Sequence, residues 1–68
     1  MPNKTLVKFE RHLGLGPPQA CKVIGIAYAT YAAYRNCSRE LQPYHANHVA
    51  DIMRLPVRLL QQVIKERI

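Results

Sequence analysis

The chain has 68 residues, with ten Lys and Arg against four Asp and Glu and a formal charge of +6. A chain this short buries only about 60% of the surface it exposes when unfolded, so the expectation is one domain over residues 1–68 that gains stability from a partner. The positive field draws polyanions, nucleic acid first. The charges are scattered, which excludes a disordered basic tail.

The first fourteen residues lack the apolar core of a signal peptide. The longest uncharged run, 23–34, falls short of the roughly 20 residues that cross a bilayer. The expected protein is soluble and intracellular, with no membrane partner. There Cys21 and Cys37 are expected as reduced thiols.

Pro and Gly divide the chain into five short helices. Asn3 can cap a first helix in which Leu6, Phe9 and Leu13 share a stripe, and Gly14 offers a left-handed stop. Gly16-Pro17-Pro18 opens a second helix over about 17–24, with Ala20, Val23 and Ile24 on its buried side and Gly25 at its end. A third helix follows over about 27–36, with Ala27, Tyr31 and Tyr34 on its inward face and mostly small side chains outward. Pro43 starts a fourth helix carrying His45, His48, Val49, Ile52 and Leu55 along adjacent turns.

From Pro56 to the end, Val57, Leu60, Ile64 and Ile68 form an apolar stripe that Leu59 and Val63 widen. That stripe is either core or a subunit interface. Its width favours the interface, so Val57, Leu60, Ile64 and Ile68 are expected to join two copies about a twofold axis, with residues 56–68 as the dimerisation element. Nothing alternates in the manner of a strand, so the fold class is all-α.

The stretch Pro17 to Asn36 makes the most specific demands. A tight pair of helices needs a small residue midway along the first one, here Cys21 beside Ala20, and a turn residue comfortable at positive φ, here Gly25. Apolar residues at Ala20, Ile24, Ile26, Tyr31 and Tyr34 then seal the pair against the other helices. With Cys21, Gly25, Ile26, Tyr34-Arg35 and Ser38-Arg39 in these places, the segment from Leu13 to Leu55 resembles the lambda-repressor-like helix-turn-helix family, the XRE type that includes phage Cro proteins and repressors. It departs from that pattern at Pro17, where many members have Gln, and at Cys37, where a loop Gly is common.

The resemblance implies a regulator of transcription that binds double-stranded operator DNA as a homodimer in the cytoplasm of a bacterial host, near the nucleoid, with its third helix in the major groove. On that reading Tyr28, Ala29, Thr30, Ala32, Ala33 and Asn36 face the bases. The alanines there can meet a thymine methyl but offer no hydrogen bond, so direct readout falls to Tyr28 and Asn36. Gln19, Lys22, Arg35, Ser38 and Arg39 are the expected phosphate contacts.

The same Ala- and Tyr-rich face also suits a protein partner. The alternative is therefore a small inhibitor that uses Tyr28, Ala32 and Ala33 against a host protein. His45 and His48 with two distant single cysteines lack the spacing of a zinc site. No metal and no cofactor is expected. Without paired carboxylates, a phosphate loop or a Ser-His pair, the chain reads as non-enzymatic.

Overall fold

A computed structural model describes residues 1–68. The chain is all-helical: α1 (Lys4–Leu13), α2 (Pro17–Ile24), α3 (Tyr28–Arg35), α4 (Pro43–Met53) and α5 (Val57–Arg67). Local chemistry explains each boundary. Asn3 caps α1, its Oδ1 accepting from Thr5 N at 2.9 Å and Leu6 N at 3.3 Å, which satisfies amides that the helix itself leaves orphaned. Gly14 ends α1 at φ 70°, and Leu15 N closes back on Glu10 O at 3.1 Å, the hydrogen bond that a left-handed C-terminal residue permits. Pro17 and Pro18 occupy the first turn of α2, where no amide hydrogen is missed.

The packing centres on α2, which touches each of the other four helices. Leu6 and Phe9 of α1, Ala20, Cys21, Val23 and Ile24 of α2, Tyr31 and Tyr34 of α3, Val49 and Ile52 of α4 and Leu60 of α5 form one core. Ala20 and Cys21 are both buried, so the small residues expected midway along α2 lie at its packed face, where they let a neighbouring helix approach. Arg67 reaches from the end of α5 to donate Nη1 to Val23 O at 2.6 Å. That bond places a cation on the unsatisfied carbonyls of α2's last turn, where the helix dipole favours it.

The turn from α2 to α3 is Gly25-Ile26-Ala27. Gly25 sits at φ 84° while Gly25 N and Ile26 N both return to Cys21 O, at 2.9 and 3.1 Å. A side chain here would have room but would meet the strain of a left-handed backbone. Tyr31 and Tyr34 lie fully inside, as expected, whereas Ala27, expected on the same face, is exposed because it precedes the helix as its extended N-cap.

The last helix differs from expectation. Leu60, expected in a subunit interface, is only 5% exposed and belongs to the core; Ile64 packs against that core from its edge. Periodicity placed both on the stripe, but the stripe's centre faces α2. Val57 at 68% exposure and Ile68 at 49% remain outside. Eleven residues apart, they lie three turns apart along one edge of α5.

Cys37 is the single non-glycine residue with positive φ, at 65°. It stands where the chain leaves α3, held by Cys37 N to Tyr34 O at 3.2 Å and by its Sγ on Met1 O at 3.1 Å. A left-handed L-residue costs about 1–2 kcal/mol, and the extra unfolded-state freedom of glycine takes back about 0.5–1. Cys37→Gly is therefore expected to raise stability by about 0.5–1 kcal/mol, read as a higher urea midpoint with an unchanged slope.

Candidate nucleic-acid interface

With Tyr31 and Tyr34 inward, steps of 100° per residue put Ala29, Ala32, Ala33 and Asn36 on the opposite side of α3. Ala29 and Asn36 are exposed, Ala32 and Ala33 are half-buried, and Tyr28 stands at one flank with 52% exposure. Thr30 lies toward the Tyr34 side of the helix and is half-buried, which sets it off the outward face. The result is a narrow helix surface of small side chains with one aromatic ring at its entrance.

Asn36 is partly committed already. Its Oδ1 accepts from Ser38 N at 3.0 Å and from Ser38 Oγ, an Asx turn that leaves the two amide hydrogens of Asn36 as its free hydrogen-bonding groups. Ser38 N and Arg39 N also close onto Ala33 O, at 2.9 and 3.2 Å. These bonds fix the exit loop against α3. Arg39 is exposed and its guanidinium carbon lies 5.7 Å from the centre of the Tyr34 ring, so the cation is held over an aromatic face at the end of the helix.

Arg35, expected at a phosphate, is engaged within the fold. It donates Nε to Glu10 Oε2 at 2.7 Å and Nη2 to Glu10 Oε1 at 3.1 Å, while Tyr31 OH donates to the same Oε2 at 2.7 Å. Glu10 is 8% exposed and is the buried charge of the core. A buried carboxylate demands such partners. Arg35 supplies them, and the pairing holds its guanidinium even more firmly protonated. Its charge is neutralised within the fold.

Burial, then the hydrogen bond to Glu10, pushes the Tyr31 phenol well above its ordinary 10.0. The folded chain thus holds this proton to higher pH than the unfolded chain does.

Gln19 and Lys22 are exposed on α2. The N-terminus of α2 itself presents no free amide: Pro17 and Pro18 have none, and Gln19 N and Ala20 N are both spent on Gly16 O. Any anion at this end must be met by the Gln19 side chain. At α3, by contrast, Ala27 gives no side-chain cap, which leaves first-turn amides without a capping partner at the start of the helix.

No group of three His, Cys, Asp or Glu side chains comes together in a way that could hold a metal ion. His45, on the stripe with Val49 and Ile52, pairs its Nδ1 with Tyr34 OH at 2.9 Å. Both cysteines are free thiols, Cys21 buried and Cys37 exposed. No helix is long and apolar enough to cross a membrane.

The chain from Arg11 to Arg39 contains no Asp or Glu. That acid-free run covers α2, the turn, α3 and the exit loop as far as Arg39, where the exposed Glu40 ends it. It is a signal in the sequence that the helix periodicities alone do not expose. Comparison with protein-family models, with curated proteins and with solved structures finds no match for this chain. The class that the geometry defines is a five-helix domain in which a short α2–turn–α3 unit, free of acids along its own chain, presents a small-residue helix face.

Two measurements follow from the Glu10 cluster. Arg35→Ala strips a buried carboxylate of its cation and is expected to cost about 2–3 kcal/mol in chemical denaturation, whereas Arg39→Ala leaves the midpoint within about 0.5 kcal/mol. For Tyr31 the folded pKa is the raised one, so its contribution is full below pH 10.0 and is lost as the pH climbs beyond it. Denaturation midpoints between pH 10.5 and 11.5 should fall more steeply for the native sequence than for Tyr31→Phe, by up to about 1.4 kcal/mol per pH unit.

Proposed function

We propose that the protein is a DNA-binding regulator of the lambda-repressor-like type, which enters the major groove of duplex DNA with α3 and acts as a homodimer. The observation that carries this reading is the inward burial of Tyr31 and Tyr34, which leaves Ala29, Ala32, Ala33 and Asn36 as a slim outward face. A helix of eight residues is about 12 Å long, and the major groove is about 12 Å wide. Side chains no larger than alanine let such a helix sit deep. Tyr28 and the amide hydrogens of Asn36 then meet base edges, the alanines meet thymine methyls, and Lys22, Gln19, Ser38 and Arg39 hold the flanking phosphates.

The homodimer places two such faces on successive turns of the duplex. Val57 and Ile68, exposed on one edge of α5, supply its apolar contact; Leu60 takes no part. A second reading, protein binding through the same face, draws on the half-exposed Tyr28 ring beside Ala29 and Ala32, an arrangement suited to an aromatic anchor.

A mobility-shift titration decides between them, using duplex DNA selected from a random pool, random competitor and two salt concentrations. The expected outcome is two subunits per site, affinity that falls by orders of magnitude from low to physiological salt, and at least a hundredfold loss for Ala33→Glu, which sets a carboxylate against the groove. Tyr28→Ala is expected to change base preference on the first reading. On the second it abolishes capture of a protein partner and leaves duplex binding intact. A flat salt response in the native protein defeats the DNA reading.

A further inference from the structure

A stripe of positive charge lies outside the α2–turn–α3 unit, on α1. Lys4, Lys8 and Arg11 recur at i, i+4 and i+7, opposite Leu6, Phe9 and Leu13. All three are exposed, and with Met1, Pro2 and Val7 they line a shallow groove of about 270 Å³ that no acidic residue enters. The carboxylate that α1 does carry, Glu10, is turned inward and neutralised by Arg35.

This charge is kept against the preference of the helix. Lys4 occupies the first position of α1, where the dipole repels cations, and the first turn has no acid to offset it. Lys4 with Lys8, and Lys8 with Arg11, are like-charged neighbours on one face. No partner within the fold relieves them, since the ion pairs present are Arg35 with Glu10 and Arg54 with Asp51. Residues that break a local stability rule without an internal compensation point to an external ligand of opposite charge.

The groove also adjoins α3. Asn3 N donates to Arg35 O at 2.8 Å and Cys37 Sγ to Met1 O at 3.1 Å, which ties the start of the chain to the end of α3. A hollow lined by Met1, Pro2, Arg35 and Asn36 joins the two surfaces.

We propose that Lys4, Lys8 and Arg11 form a second phosphate-binding surface that grips the backbone of the same duplex α3 enters. This rests on the DNA reading above and extends it to α1. The stripe runs about 10 Å along α1 and meets up to three phosphates of one strand, spaced about 3.4 Å along the duplex axis. Its contacts are sequence-independent. They add affinity and salt dependence without adding discrimination.

The test compares the native chain with Lys4→Gln/Lys8→Gln/Arg11→Gln on random-sequence and selected duplexes across a salt series. Each lost phosphate contact removes about 0.9 from the log–log salt slope, so the slope should become shallower by about 2–3, with the ratio of selected to random affinity unchanged. The thermal midpoint should stay level or rise by a few degrees, because the repulsion is gone. A folded triple variant with the native slope overturns the proposal, as does a native chain that binds no duplex at low salt.

Should the triple variant fail to fold, the three single replacements carry the same test at about 0.9 each. Ala33→Glu separates the two claims. If it binds as the native chain does while the triple variant loses slope, α1 grips polyanions and the α3 reading falls; if Ala33→Glu loses binding and the triple variant does not, α3 stands and the α1 surface is refuted.

Discussion

The fork between Arg35 and Glu10, closed by the Tyr31 hydroxyl, sets the orientation on which every other feature of the surface depends. Apolar burial holds α3 to the domain but is non-directional, so Tyr31 and Tyr34 alone tolerate some rolling of the helix. The bidentate bond is directional: it fixes Arg35 to one place on α1 and thereby fixes the rotation of α3 about its axis. A roll of one residue, about 100°, would turn the alanines toward the core and expose a tyrosine. Gly25 makes the bend between the helices available, and the Glu10 cluster chooses which side faces out.

Much of the backbone was legible because its punctuation is local. Asn3, Gly14, the Pro17-Pro18 pair, Gly25 and Pro43 act through their own φ angles and side chains, and the helices begin and end at those residues. The second helix runs 17–24 as expected, and the third begins and ends one residue inside its expected 27–36, with Ala27 and Asn36 as its flanking residues.

What periodicity could not resolve was long-range. Glu10 and Arg35 are 25 residues apart, and nothing near either names the other. The available clue is that Glu10 falls four residues after Leu6 and three before Leu13, inside an apolar stripe where an acid must find a partner. Leu60 failed for a different reason. A stripe on a terminal helix looks the same whether it covers its own core or a second copy, and only the position of α2 decides between them. The left-handed backbone at Cys37 had no local signal, since the residue there is not a glycine.

The distribution of charge divides the proposed labour unequally. None of the five helices carries an acid in its first turn, so dipole stabilisation worth a fraction of a kcal/mol per helix is forgone across the domain. In return the exposed charges from α1 to Arg39 are all positive, with Glu40 following them at once. Such a field raises encounter rates and backbone affinity but reads no bases.

Against this, the α3 face is poor in hydrogen-bonding groups. Its alanines can add only methyl contacts, and the Asn36 oxygen is spent within the exit loop. On the DNA reading, one subunit would therefore hold duplexes firmly while discriminating among them weakly, since a good bidentate base contact is worth about 1–3 kcal/mol and few are on offer. Specificity then has to come from elements that multiply a weak preference. A second copy squares the contribution of each half-site. A slim helix that sits deep in the groove makes the backbone contacts of α1 and Arg39 sensitive to groove width, so sequence enters through the cost of deforming the duplex to reach both at once. On the DNA reading the small side chains of α3 and the basic stripe of α1 would act as one device: the first would permit the depth at which the second could reach the strand.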